Sequence, residues 1–144
     1  MKTRSDFVTN SSSSSFVIAY KKLPEIDEQT LEKYPFLKAY KEVIHKLLMD
    51  GNGSYETEES IVVENEKDLQ KYIIDEIGVY EYPNHTFEYI YKHDEEARYI
   101  YDLCKSKLNE GYKILLKEVG YDDIRNDLFM EMASDDFIIL EGGD

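Results

Sequence analysis

The chain of 144 residues is 42% apolar and 33% charged, which is the composition of a globular domain rather than of a disordered segment. Its length suits one domain, and no apolar stretch approaches the roughly 20 residues that a membrane-spanning helix requires. The formal net charge of −14 disfavours direct binding to nucleic-acid phosphates and to anionic membranes.

This charge is distributed unevenly along the chain. Residues 1–22 carry four bases and one acid, a net charge of +3, which leaves −17 for the remaining residues. An acidic surface of this kind suits a basic protein, or a nucleic-acid-binding protein, as a partner. The alternative is that the charge only keeps the protein in solution.

Cysteine usage and the N-terminal segment indicate the cytoplasm. Cys104 is the single cysteine, so no intrachain disulfide can form, as expected in a reducing compartment. The apolar run at residues 16–20 is too short for the core of a secretion signal.

The first half of the chain predicts two strands and two helices. Residues 16–20, Phe-Val-Ile-Ala-Tyr, are typical of a strand that is covered on both faces. A helix is predicted to open with Pro35 and to stop near residues 50–51. Residues 61–63 predict a second strand, after which Asn65 caps a helix that Gly78 closes. The apolar stripe of the first helix comprises Phe36, Leu37, Tyr40, Val43, Ile44, Leu47 and Leu48.

The second half begins with an ambiguous segment, since residues 79–93 fit both a strand and a helical face. A helix is then predicted from Asp94 to Gly111, followed by a strand at 112–119, a short acidic helix around 123–132 and a last strand at 136–140. The stripe of the long helix comprises Ala97, Ile100, Tyr101, Cys104 and Leu108.

Together these elements predict one α/β or α+β domain over residues 1–144. It has a mixed sheet of about four strands, with three to four helices packed against it. Residues 1–15 are predicted to be a loosely ordered lead-in, because they offer little apolar surface to offset the entropy of ordering the backbone.

The opening segment, RSDFVTNSSSSSFV at residues 4–17, is distinctive as a string. Many short, uncharacterised bacterial and mobile-element proteins begin with a basic residue, Phe-Val, Thr or Ser, Asn, a serine run and Phe, and this chain resembles them. The resemblance implies a small protein of unknown function whose start is shared among varied bodies. It assigns no catalytic residue.

The serine run also raises the hypothesis of an anion site. Serine hydroxyls and nearby lysines can hold a phosphate or a nucleotide, and this is the net-positive region of the chain. The run has no glycine, however, and phosphate-holding loops use glycines so that successive backbone N–H groups can converge on the anion. The candidate residues are Asn10, Ser11, Ser12, Ser13, Lys21 and Lys22.

Carboxylates gather between the last two predicted strands, where they are candidates for binding a partner or a divalent cation. Their spacing does not match a calcium-binding loop, and the glycine that such a loop needs is absent. A solvated acidic face is the favoured interpretation, so we predict no metal and no cofactor. The candidate residues are Asp122, Asp123, Asp127, Glu131, Asp135 and Asp136.

No catalytic set is recognisable among the remaining residues. His45, His85 and His93 form no pair at zinc-ligand spacing, and surface positions are predicted for them. Cys104 lies on an apolar stripe, which favours a buried structural thiol over a nucleophile.

These observations leave two hypotheses for the function. The favoured one is a non-enzymatic interaction or regulatory module that binds a basic or nucleic-acid-binding protein, without direct contact with nucleic acid or a membrane. The other is a small-anion or nucleotide-binding enzyme that uses the serine segment and the C-terminal aspartates.

Overall fold

The computed structural model describes residues 13–49, 60–120 and 124–142, and in these ranges one antiparallel sheet carries helices on both faces. This is an α+β fold, one of the two predicted classes, and the strand pairs of the described ranges are all antiparallel, whereas a mixed sheet was predicted. The sheet has four strands in the order β2-β3-β1-β4. The strands are β1 (Ser13–Tyr20), β2 (Ser60–Val63), β3 (Lys113–Gly120) and β4 (Phe137–Glu141).

The two central strands, β1 and β3, pair over eight residues, from Ser13 opposite Gly120 to Tyr20 opposite Lys113. Successive side chains of a strand point to opposite faces, and in β1 both faces are apolar. Phe16 and Ile18 are buried on one face, and Val17 and Ala19 are buried on the other. The continuous apolar run therefore indicates a strand covered on both sides. This strand begins at Ser13, so residues 13–15 are part of the sheet and not of the predicted lead-in, and the rest of that lead-in lies outside the described residues.

A first helical layer covers the face that carries Phe16 and Ile18. Its α-helices bury Ile44, Leu48 and Phe129 against the sheet, and the Phe16 and Phe129 rings meet edge to face with centroids 4.9 Å apart. The elements of this layer are α1 (Glu28–Lys33), a 3₁₀ segment (Pro35–Val43), α2 (Ile44–Met49) and α7 (Ile124–Glu131).

A second helical layer covers the face that carries Val17 and Ala19. It buries Leu69, Ile90 and Cys104 against the sheet. Its elements are α3 (Glu66–Tyr72), a π-helical turn (Ile73–Ile77), α4 (Gly78–Glu81), α5 (Phe87–His93) and α6 (Glu95–Asn109). None of the helices in the described ranges combines the length and the apolarity needed to cross a membrane.

The helix predicted over residues 35–49 is two segments, because its first nine residues wind as a 3₁₀ helix. A 3₁₀ helix turns about 120° per residue, whereas an α-helix turns about 100°. This winding turns Phe36 away from Leu37 and Ile44, and Phe36 and Tyr40 are 53% and 38% exposed. Their predicted place in the buried stripe is wrong, whereas Leu37, Ile44 and Leu48 are buried as predicted.

Three further features of the helices differ from the prediction or complete it. Gly78 does not end its helix, since the π-helical turn passes directly into α4. The ambiguous segment contains α5, so its helical alternative is correct. Helix α1 was not predicted, although Asp27 caps it by accepting a hydrogen bond from Thr30 N at 2.8 Å. The described ranges therefore hold seven α-helices rather than three or four.

The buried stripe of the first layer gives a direct test of this architecture. We expect Ile44→Asp to lower the free energy of unfolding by at least ~4 kcal/mol, because it places a carboxylate among apolar side chains. Phe36→Asp is the matched control, and a change within ~0.5 kcal/mol is expected because that ring is exposed. Urea denaturation followed by far-UV circular dichroism measures both. Equal losses for the two variants would contradict the assignment.

Candidate functional site

The acidic candidates do not come together as one site among the described residues. Asp122 and Asp123 lie outside the described ranges, and Asp127 lies in α7. Glu131, at the end of α7, forms an ion pair with Lys33 of α1 at 3.0 Å. The hydrogen bond from Lys33 lowers the pKa of the Glu131 carboxyl group. Glu131 thus links two helices of the first layer.

Asp135 and Asp136 lie in the turn before β4, where their backbone atoms make the contacts. The carbonyl of Asp136 accepts a hydrogen bond from Lys21 N at 2.9 Å, and the carbonyl of Asp135 accepts one from the Tyr112 hydroxyl, also at 2.9 Å. Both residues are exposed. No group of three or more His, Cys, Asp or Glu side chains in the described part of the chain could hold a metal ion.

The members of the anion set that the structure describes lie at opposite ends of β1. Ser13 opens the strand, while Lys21 and Lys22 follow its last residue, so about 27 Å of extended chain separates them. Lys21 Nζ lies 4.5 Å from the centroid of the Tyr112 ring. Asn10, Ser11 and Ser12 lie outside the described residues. The structure therefore does not bring Ser13 and the two lysines together.

Lys117 was not among the predicted site residues. Its side chain is 2% exposed, and among the described residues it is the charged residue that is buried. It lies in β3 opposite Phe16 of β1 and opposite Ser60 of β2. The alternation of the strand contained the signal, because Leu115 and Lys117 are two residues apart and so share the face of the first layer.

Cys104 is fully buried in the second layer, as predicted. Burial raises the pKa of its thiol to about 12, so the reactive thiolate is scarce at neutral pH. A thiol in this state is poorly suited to act as a nucleophile. The histidines are all exposed, and His45 lies 3.3 Å from a carboxylate oxygen of Glu25.

Two of the histidines are parts of a stacked set of rings, which we call the ring column: His85, Tyr89 and His93. His85 stacks on Tyr89 with centroids 3.9 Å apart and planes 13° apart, and Tyr89 stacks on His93 at 4.1 Å and 24°. Tyr82 meets Tyr89 edge-on at 6.0 Å. The column residues are exposed, with Tyr89 at 38%. The signal was the spacing Tyr-x₃-His, which places Tyr89 and His93 on one face of α5, while His85 joins the stack from the segment before the cap.

The backbone around the ring column departs repeatedly from regular helix geometry. The π-helical turn precedes α4, and π-helical turns of this kind occur frequently at functional sites. Gly78 approaches α5 so closely that a Cβ atom would lie 2.4 Å from Ile90 Cδ1. Tyr82 to His85 form a turn in which His85 N donates to Tyr82 O at 3.2 Å.

This turn and a cap fix where α5 begins. Pro83 occupies the second position of the turn, and Asn84, with φ of 68°, occupies the third, which is the type II arrangement. Thr86 then caps α5 by accepting a hydrogen bond from Tyr89 N at 3.1 Å. The turn and the Thr86 cap thus fix the start of α5 and, with it, the position of the ring column.

The segment that carries the ring column is rich in acidic residues. Glu81, Glu88 and Glu95 are exposed, and none of them forms an ion pair within the described ranges. The pKa of Tyr82 is raised by burial and further by the charges of Asp94 and Glu81, which places these two carboxylates near its ring. We call residues 81–95 the acidic corner. It combines exposed aromatic rings with negative charge.

Comparison of the chain with protein-family models, with curated protein sequences and with solved structures finds no match.

The burial of Cys104 predicts its reactivity. In the native protein at pH 8 we expect a thiol-specific chromogenic disulfide reagent to react at least ~100-fold more slowly than with the chain unfolded in guanidinium, where one equivalent should react. The raised pKa also stabilises the folded state below the pKa of the unfolded thiol, and this stabilisation is lost as the pH rises toward 12. Rapid stoichiometric labelling of the native protein would contradict the buried position.

The contact between Gly78 and Ile90 tests how α5 is positioned. Gly78→Ala should cost about 1–2 kcal/mol of unfolding free energy, because the added methyl group collides with Ile90 Cδ1. Ile90→Val removes that atom, so Gly78→Ala should cost at least ~0.5 kcal/mol less in the Ile90→Val background. A double-mutant cycle by urea denaturation measures the coupling. Strictly additive losses would show that the two residues are not in contact.

Proposed function

We propose that this protein is a non-enzymatic interaction module of the cytoplasm that binds a basic protein partner through the acidic corner. The observation that carries the proposal is the set of three exposed glutamates, Glu81 before α5, Glu88 in it and Glu95 after it, none of which forms an ion pair in the described ranges. Elsewhere in the second layer, acids such as Asp75 pair with a lysine. The corner is therefore a place where negative charge is left for a partner.

The net charge gives a physical reason for such binding. A chain of −14 repels itself, and this repulsion opposes the compact state. A cationic partner at the corner relieves part of the repulsion, and complementary charge also accelerates the encounter of the two proteins. Exposed aromatic rings add contact area of the kind that is enriched in protein interfaces.

The enzymatic alternative has less support. It requires the serine segment to act with Lys21 and Lys22, and Ser13 lies at the far end of β1 from both lysines. Cys104 is buried with a raised pKa, and the described residues offer no metal-binding group. We therefore favour binding over catalysis.

A labelled octalysine peptide provides a defined basic probe for this proposal. Fluorescence anisotropy should detect binding at low salt that weakens steeply as sodium chloride is added. Replacing Glu81, Glu88 and Glu95 together by Gln should weaken binding about tenfold, on the basis of roughly 0.5 kcal/mol for each exposed pair.

The matched control replaces Glu28, Glu32 and Glu42 by Gln, which changes the net charge equally. These three glutamates are also exposed, but they lie in the first layer. We expect the control variant to bind octalysine within about twofold of the unmodified protein. Equal weakening by both triple variants, or no binding at low salt, would overturn the proposal.

A further inference from the structure

The ring column presents a particular combination of surfaces to a partner. His85 precedes α5 and His93 ends it, and each imidazole stacks on one face of the Tyr89 ring. With both faces covered, the Tyr89 ring can offer a partner only its edge and its hydroxyl group, whereas each imidazole retains one face that is not stacked on Tyr89. The stack holds these rings in fixed positions, so little side-chain entropy is lost when something binds them.

The hydrogen bonding of His93 determines what its ring offers. His93 Nδ1 lies 2.9 Å from the Tyr89 carbonyl oxygen, which can only accept a hydrogen bond. The neutral ring therefore carries its hydrogen on Nδ1, and Nε2 is a hydrogen-bond acceptor. A donor group from a partner can thus bind Nε2.

The charges around the column are predominantly negative. Glu81 and Asp94 lie near the Tyr82 ring, and Glu88 lies in the first turn of α5. Of the nearby bases, Arg98 directs its guanidinium group to the backbone carbonyls of Tyr91 and Lys92, at 3.1 and 2.9 Å, and so is already engaged. Lys92 is exposed. The surface combines aromatic edges, an acceptor nitrogen and carboxylates.

We propose that the ring column and its carboxylates form the docking site for an arginine side chain of the basic partner, an inference that rests on the proposed function. The apolar stem of the arginine lies along the ring edges. Its guanidinium group binds the Glu81 carboxylate, Nε2 of His93 and Oδ2 of Asp94, whose Oδ1 caps α6 by accepting a hydrogen bond from Ala97 N. Both faces of the Tyr89 ring are covered, so the guanidinium group stacks on the outer face of an imidazole. It is planar and weakly hydrated and can donate to two acceptors at once, whereas the ammonium group of lysine is a strongly hydrated point charge. The site therefore selects arginine over lysine.

Other occupants fit the surface less well. A nucleic acid or an anionic membrane would place phosphates against the carboxylates of the corner. A second copy of the chain would bring another net charge of −14 to the same place. An arginine-bearing segment satisfies the aromatic, hydrogen-bonding and charge requirements together.

The test uses two labelled peptides. One contains four arginines and the other contains four lysines, and in both the basic residues are separated by Gly-Ser. At 150 mM sodium chloride we expect the unmodified protein to bind the arginine peptide about five- to tenfold more tightly than the lysine peptide. Tyr89→Leu, which removes the aromatic ring but retains an apolar side chain of good helix propensity, should weaken arginine-peptide binding by about the same factor. Lysine-peptide binding should change less than twofold.

Tyr40→Leu is the matched control, because Tyr40 is also 38% exposed but lies in the first layer. It should leave both affinities unchanged, and thermal melts should confirm that both variants are folded. Equal affinity of the unmodified protein for the two peptides, or an unchanged arginine affinity in Tyr89→Leu, would overturn the inference. Either result leaves the proposed function standing as long as the peptides bind, whereas failure of both peptides to bind at low salt would overturn the proposed function as well.

Discussion

The pairing of β1 with β3 is the constraint on which the rest of the structure depends. These strands lie in the middle of the sheet, and both faces of β1 are apolar, so neither face can be left to water. Two helical layers are therefore required, one over Phe16 and Ile18 and the other over Val17 and Ala19. The edge strands β2 and β4 complete the sheet on either side of the pair.

Much of this arrangement could be predicted from the sequence, because strands and long helices leave periodic signals. Helix α6 shows this most clearly, since Asp94 caps it and Cys104 lies on its buried stripe. The prediction failed where helices depart from α geometry. The periodicity of an α-helix gives no sign that Pro35–Val43 winds as a 3₁₀ helix or that Ile73–Ile77 forms a π-helical turn.

The candidate surface was harder to predict for a related reason. Each histidine was considered as a separate candidate ligand, and an aromatic residue between two histidines carries no metal-site signal. Only the start of α5, which Thr86 and the turn at Asn84 fix, shows that His85, Tyr89 and His93 form one stack. Lys117 was missed because a lysine is expected at the surface. Its place in a central strand, facing the first layer, buries it nevertheless. In both cases the position of a side chain in the fold decides its role.

Nuclear magnetic resonance tests the central claim most directly, since it locates binding on the surface residue by residue. In a titration of the ¹⁵N-labelled protein with the four-arginine peptide, the account predicts that the largest amide shift changes fall within residues 81–95. The first layer, including exposed acids such as Glu28 and Glu42, should show only small changes. Shift changes of equal size in both layers, or changes centred on residues 124–142, would contradict an interaction site at the acidic corner.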